Sequence, residues 1–311
     1  MMDYSCDTGS MEVSEPIQNF GGDWITEKLE AVFRYLGAYL NVLKNQPQWQ
    51  KIYVDDFAGT GRVEKRTSSR IAGPSGEALF PEMVTETAER VLGSTSRALT
   101  LEPGFSKYIF IEQSRKKVVE LKTLASRYPD KQVEIIQSDA NEELKRLAGI
   151  NWRSNRALVF LDPFGMQVKW DTLVTLANTR AVDLWYLFPL GVGVNRLLQN
   201  DGLIPGYNQI KLDEMFGTTE WRKVFYKQSK QVSLFGEESS SEKQGDFDGI
   251  EKFFVERLSS IFPYVSAKPR RLYNSTGNPL YSLCFAAANP GVGGKTALKI
   301  ANHLLTNLKK R

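Results

Sequence analysis

Between residues 51 and 188, short apolar segments alternate with segments of helical periodicity, and this alternation constrains the fold more than any other feature of the chain. The apolar segments are Ile52–Val54, Tyr108–Ile111, Val133–Gln137, Ala157–Leu161 and Val182–Phe188. They are rich in β-branched and aromatic residues, as strands buried on both faces of a parallel sheet must be. Between them lie helical patterns at Arg115–Arg127, Glu142–Ala148 and Trp170–Ala177. Strand, helix, strand in that order builds a parallel sheet through right-handed crossovers. The expected class is therefore α/β, a mostly parallel twisted sheet with helices on both faces.

The first of these strands carries the most local information. It runs into Asp55 and Asp56, and Phe57-Ala58-Gly59-Thr60-Gly61 must then turn sharply. Glycines at 59 and 61 give access to positive φ and let a ligand approach the backbone closely. Ligands of open α/β sheets bind at this carboxyl edge; a tight turn without a ligand is the plainer reading of the glycines alone. Three further strands also run into acids, at Glu112, Asp139 and Asp162. Four carboxylates along one edge suit a ligand rich in hydroxyls and amines. The acid after the second strand suits a ribose, whose two hydroxyls its oxygens can accept from. A further aspartate suits the exocyclic amine of adenine, which only donates.

Composition narrows the chemistry. The 311 residues can form a full core, in one large domain or two, and 41% hydrophobic with 24% charged residues is ordinary for a globular protein. Forty basic residues against 36 acidic ones leave a net charge of +4, which permits nucleic-acid contact without demanding it. His303 is the single histidine. That removes His-based triads, His-rich metal centres and His acid–base chemistry, so no metal site is expected and catalysis must use carboxylates, backbone groups or a cofactor. Cys6 and Cys284 make no disulfide framework, so a reducing cytoplasm is the expected location. No apolar run approaches the roughly 18 residues of a membrane span, and the start lacks a signal-peptide pattern.

Residues 1–22 read as a poorly ordered polar tail and 23–311 as a single domain. Trp24–Leu43 is predicted as an amphipathic helix whose stripe is Ile25, Leu29, Val32, Phe33, Leu36, Leu40 and Leu43, with Lys28 and Arg34 assigned to solvent. Arg62–Ser69 and Gly73–Gly76 read as a loop before a helix near Glu77–Leu92, with Ser75 as its cap, and 93–106 as a further connection. Residues 190–262 read as a helical insertion containing a flexible segment at 228–249 and a helix at Ile250–Ile261. Strands near Tyr264–Tyr273 and Tyr281–Ala288 and a helix at Lys295–Leu308 close the chain.

Two cofactors fit the strand ends, a dinucleotide and S-adenosylmethionine. The dinucleotide fingerprint counted from Gly59 would require glycine where Glu64 stands, and Glu112 lies well beyond the usual spacing of about 20 residues. A diphosphate would also favour a helix N-terminus directly after the turn, whereas Arg62–Ser69 reads as loop. A nucleoside lacking phosphate fits better, which means S-adenosylmethionine. Asp56, Phe57, Ala58, Gly59, Thr60 and Gly61 would hold its methionine part, Glu112 and Gln113 its ribose, and Asp139 and Ala140 its adenine.

Asp162-Pro163-Phe164-Gly165 resembles the (Asp/Asn)-Pro-Pro-(Tyr/Phe) motif of amino-methyltransferases, with one proline missing. In that chemistry the acid and the proline-flanked carbonyl accept hydrogen bonds from the target NH₂, and the ring stacks on a base taken out of its helix. Asp162, Pro163 and Phe164 are thus the candidate catalytic residues. A rigid turn in which Asp162 caps the next helix is the structural alternative.

Taken with FAGTGR at 57–62, GPSG at 73–76, IEQS at 111–114, SDAN at 138–141 and LDPFG at 161–165, the chain resembles the three-Cys-motif partner proteins of bacteria. The resemblance covers roughly residues 24–190 and extends loosely beyond. It implies a Rossmann-like class I methyltransferase fold, S-adenosylmethionine as cofactor, and a small partner protein to which the three cysteines belong. The expected function is S-adenosylmethionine-dependent methyl transfer to a nucleic-acid amino group, adenine N6 or its like. The alternative is a non-catalytic recognition or scaffold subunit acting with the small partner.

Two other features need weighing. Asn289–Thr296 approaches a phosphate-binding loop, but Asn289 stands where glycine is required and 15 residues after Thr296 leave no room for a magnesium-binding strand. Arg115, Lys116, Lys117, Arg270 and Arg271, with Tyr273, could line a nucleic-acid surface or simply be solvated faces.

Overall fold

The computed structural model describes residues 24–70, 84–200, 202–233 and 236–308, and side chains throughout these except at 62–91 and 228–242. Helix α1 (Trp24–Val42) leads to β1 (Gln50–Asp56), the strands β2 (Arg62–Arg70) and β3 (Val84–Leu92), and the short helix α2 (Ser94–Leu99). Then come β4 (Lys107–Ile111), α3 (Arg115–Ala125), β5 (Val133–Ile136), α4 (Ala140–Ala148), β6 (Asn155–Leu161), α5 (Trp170–Asn178) and β7 (Val182–Phe188). A single π-helical turn at Leu190–Asn195 precedes α6 (Gly206–Phe216), α7 (Trp221–Phe225), β8 (Tyr226–Ser233) and β9 (Gly236–Lys243). The remaining elements are α8 (Phe247–Ser259), β10 (Tyr264–Val265), β11 (Arg270–Tyr273), β12 (Pro279–Ala287) and α9 (Val292–Asn307).

The main sheet has the order β10-β12-β7-β6-β1-β4-β5, with β11 also paired to β12. Strands β5, β4, β1, β6 and β7 are parallel, and β12 runs antiparallel to β7. The chain leaves β1 toward β4 and β5 and returns to β6 and β7 on the other side. The order therefore reverses between β1 and β6, and the crevice at such a switch point is where open α/β sheets bind ligands. This is an open, Rossmann-like doubly wound α/β arrangement with a mostly parallel sheet.

Each face of the sheet is covered. Ile52, Val54, Val159 and Leu184 pack with α4, α5, α6, α7 and α8, whereas Tyr53, Phe110, Leu158 and Trp185 pack with α1, α2, α3 and α9. Strands β4, β6 and β7 and the second half of β1 are largely apolar without alternation because both of their faces are buried, whereas the edge strand β5 is half-buried. On β1, successive side chains point to opposite layers, which sends Asp55 toward α1 and Asp56 toward α4.

Several stretches depart from the sequence reading. The sequence predicts loop at Arg62–Ser69 and helix near Glu77–Leu92, whereas Arg62–Arg70 pairs antiparallel with Val84–Leu92. Val84, Thr85, Thr87 and Val91 are β-branched and favour an extended backbone. Gly73–Gly76 and the Ser75 cap lie outside the described residues. The connection expected at 93–106 contains α2. Over the segment expected to be flexible, β8 and β9 pair as a hairpin and α8 begins at Phe247, where Asp246 caps it by accepting from the Gly249 amide.

Lys28 is buried rather than solvated, whereas Arg34 is exposed and pairs with Glu30 at 2.6 Å. Arg270 and Arg271, offered as a nucleic-acid face, are held in ion pairs: Arg270 with Glu27 at 2.5 Å, and Arg271 with Glu251 at 3.1 Å and Asp248 at 2.5 Å.

Candidate functional site

The four acids do meet along one edge. Asp56 is the last residue of β1, in register with Ile111 of β4 and Leu161 of β6, so Glu112 and Asp162 stand one residue beyond it on either side. Asp139 follows β5, beside β4. Thus Asp139, Glu112 and Asp56 line one half of the edge, and Asp162 lies across the switch point.

The turn after β1 is built on three left-handed residues, Phe57 at φ +66°, Gly59 at +61° and Gly61 at +75°. An aromatic residue at positive φ costs about 1–2 kcal/mol, and such strain concentrates at functional loops. Gly61 is required by packing: a Cβ there would lie 2.5 Å from Leu124 Cδ2 and 2.8 Å from Thr95 Oγ1. At Gly59 the nearest atom to such a Cβ is the Phe57 carbonyl oxygen at 3.9 Å, so that side of the turn is open.

Glu112 is buried, and its Oε2 accepts from the Gly59 amide at 3.0 Å while Oε1 accepts from the Ser114 amide at 2.8 Å. One carboxylate thereby ties the β1 turn to the start of α3. Each oxygen retains a lone pair, enough to accept from two adjacent hydroxyls. Gln113 beside it is exposed. Asp139 caps α4, with Oδ1 accepting from the Asn141 and Glu142 amides at 2.9 and 3.2 Å, which leaves Oδ2 for an amine donor. Ala140 is buried beneath it.

Asp56 is fully buried, its Oδ1 accepts from the Phe57 amide at 3.1 Å, and its Oδ2 has no partner. Burial raises its carboxyl pKa well above the usual range, and Asp55, Asp139 and Glu112 push in the same direction. A cation bound beside this edge would relieve the crowding of acids. Asp55, on the other face, accepts from Tyr53 Oη at 2.8 Å. Burial pushes its carboxyl up to about 7 against the pull of the Ser94 and Tyr53 hydroxyls and of Lys28.

Across the switch point, Pro163 is buried while the Phe164 ring is 51% exposed, with Lys117 Nζ 5.0 Å from its centroid. The Phe164 amide donates to Gln167 Oε1 at 2.9 Å, and Gly165 at φ +82° turns the chain with open space on its Cβ side. Asp162 does not cap α5, whose N-cap is Lys169; it pairs instead with Lys28 of α1 at 2.5 Å.

Two residues of this site escaped the sequence reading. Lys28 lies three residues after Ile25 and four before Val32, so it falls on the apolar stripe of α1. A charge on a buried stripe was the signal. Asn141 is buried, donates from Nδ2 to the Gln167 carbonyl and accepts through Oδ1 from the Lys169 amide and Thr172 Oγ1, all at 2.9 Å. It fastens the loop after Asp162 to α4, and nothing in its spacing announces that role.

The Asn289–Thr296 segment follows β12 and therefore lies at the opposite edge of the sheet, where the Ala288 amide donates to Val182 at the start of β7. A Cβ on Gly294 would come within 2.0 Å of the Asn289 carbonyl oxygen, so this glycine serves the packing of α9 against the strand end. Among the described residues, no group of three His, Cys, Asp or Glu side chains could hold a metal ion, and no helix is long and apolar enough to cross a membrane.

No family model and no curated protein matches this chain. Among solved structures, protein LPL1258 from Legionella pneumophila is similar over 93% of this chain and 93% of its own, with a TM-score of 0.49 and 13% identity. Trm1 from Pyrococcus horikoshii, determined with S-adenosyl-L-methionine, is similar over 92% of this chain and 75% of its own, with a TM-score of 0.35 and 11% identity. At these values the likeness carries nothing about chemistry, which rests on the residues above.

Proposed function

We propose that the chain is an S-adenosylmethionine-dependent methyltransferase acting on an amino group of a nucleic-acid base, adenine N6 or its like. The observation that carries this reading is Glu112, a buried carboxylate at a strand end whose oxygens are oriented by two backbone amides and still have acceptor capacity for a diol. When bound, S-adenosylmethionine supplies a methyl group on cationic sulfur. Glu112 would accept from the ribose and Asp139 Oδ2 from the adenine amine, and Asp56, buried beneath the turn, would attract the ammonium of the methionine part through space. Open space at Gly59 admits the ligand next to the backbone. On the other side of the switch point, Asp162 and the Pro163 carbonyl accept from the target NH₂ and orient its lone pair, and the exposed Phe164 ring stacks on the base.

Calorimetry with S-adenosylmethionine tests the first half: saturable heat is expected from the wild-type chain and none from Glu112→Ala. A wild-type chain giving no heat ends the proposal. The second half is tested with tritiated cofactor on total RNA and DNA, with transfer abolished by Asp162→Ala.

The engagement of Asp162 Oδ2 by Lys28 favours a second reading, a non-catalytic recognition subunit that works with a small three-cysteine partner. Co-purification of such a protein, with no labelled transfer in its presence or absence, would select it.

A further inference from the structure

Burying a lysine is costly unless its charge is matched. Lys28 sits on the core-facing side of α1, its side chain only 8% exposed, with Nζ 2.5 Å from Asp162 Oδ2 and 5.0 Å from the centroid of the Trp24 ring. Its partner stands 134 residues away, at the strand end that carries Pro163 and Phe164. Asp162 is 24% exposed in its side chain, so the ammonium holds it from the interior while the carboxylate still reaches the crevice. Asp55 and Tyr53 from β1 and Tyr281 from β12 are the other titratable groups whose charge is felt here. Asp55 Oδ1 has no hydrogen-bond partner among the described residues. Two carboxylates and one ammonium thus share the space between α1 and the carboxyl edge.

We propose that Lys28 is the positioning residue of the target site: its ammonium fixes Asp162 through Oδ2, leaves Oδ1 to accept from the substrate amine, and balances the paired negative charge of Asp162 and Asp55. The proposal rests on the methyl-transfer reading and narrows its substrate. With an ammonium already on Asp162, a second cation beside it is repelled. The site selects a neutral amino group, as on a nucleobase, over an alkylammonium such as a lysine side chain.

The test uses Lys28→Met, Asp162→Asn and their combination. Calorimetric affinity for S-adenosylmethionine should stay within about threefold of wild type in all three, because no contact to the cofactor half of the edge is removed. Lys28→Met should lower the single-turnover methyl-transfer rate about 100-fold, and should add less than about threefold once Asp162→Asn is present. A readout independent of catalysis is the carboxyl ¹³C titration of Asp55, whose midpoint in the wild-type chain is expected to be pushed up to about 7 by burial. That midpoint should rise in Lys28→Met and fall in Asp162→Asn. Should Lys28→Met not fold, Lys28→Gln, which keeps a donor without the charge, must raise it likewise. An unmoved Asp55 midpoint, or an additive double variant, overturns the proposal. A wild-type chain that methylates no nucleic acid defeats the functional reading instead, and the Asp55 titration still decides whether Lys28 holds this charge balance.

Discussion

The Gly59 amide donates to Glu112 Oε2 at 3.0 Å, which fastens the turn after β1 to the acid after β4. Replacing Glu112 by Gln substitutes an NH₂ for one acceptor oxygen, which then faces the amide of Gly59 or of Ser114 donor to donor. A buried donor left without an acceptor costs about 1–3 kcal/mol. That cost should appear as lost stability in urea denaturation, while removal of one acceptor for the ribose hydroxyls should lower affinity for S-adenosylmethionine about 5- to 100-fold in calorimetry, at about 1.4 kcal/mol per tenfold.

The two glycines of that turn should separate by what they affect. Gly61→Ala forces a Cβ against Leu124 and Thr95 at φ +75°, and should cost about 2–4 kcal/mol in urea denaturation. Gly59→Ala has room and should cost only about 1 kcal/mol from its positive φ. Its methyl group would enter the space offered to the cofactor, so its larger effect should be on cofactor affinity.

Stability should decline between about pH 4 and 7. Burial raises Asp183 to about 7 from an ordinary 3.8, against the pull of Tyr35, whose hydroxyl donates to Asp183 Oδ2 at 2.7 Å, and of Arg156. In that window the folded chain keeps a proton that the unfolded chain has lost, so rising pH favours unfolding by up to about 1.4 kcal/mol per pH unit for each such group. Asp55, also at about 7, acts with the same sign. Urea denaturation at pH 5, 6 and 7 should show the decline, and a shallower slope in Asp183→Asn.

Phe164→Ala should leave stability within about 0.5 kcal/mol, because the ring is largely exposed. Loss of base stacking is worth about 1–3 kcal/mol. The KM for the nucleic-acid substrate should rise by about 5- to 100-fold while calorimetric affinity for S-adenosylmethionine is unchanged.

The central sheet was legible because strands buried on both faces are largely apolar, and because the acids that end them interrupt that run visibly. Val182–Phe188 was read to the residue for this reason. The β2–β3 and β8–β9 ribbons were not, since each strand of such a ribbon pairs only its hairpin mate and needs no regular apolar face. RVEKRTSSR contains one aliphatic residue, Val63, and gives no alternation to read. Lys28 was missed for a different reason. Its position on the stripe of α1 was available, but its partner is separated from it by most of the sheet and has no sequence relation to it. Asp162 was correctly placed at the edge, yet what it touches is decided by a helix that precedes the sheet altogether.

The antiparallel course of β12 gives the molecule two poles. The helix that follows it, α9, opens with Val292, 82% exposed, at the edge of the sheet opposite Gly59, Glu112 and Phe164. A fluorophore or surface tether attached at Val292 would therefore leave the carboxyl edge facing outward. Long polymers could then be presented to the immobilised protein without the handle obstructing them.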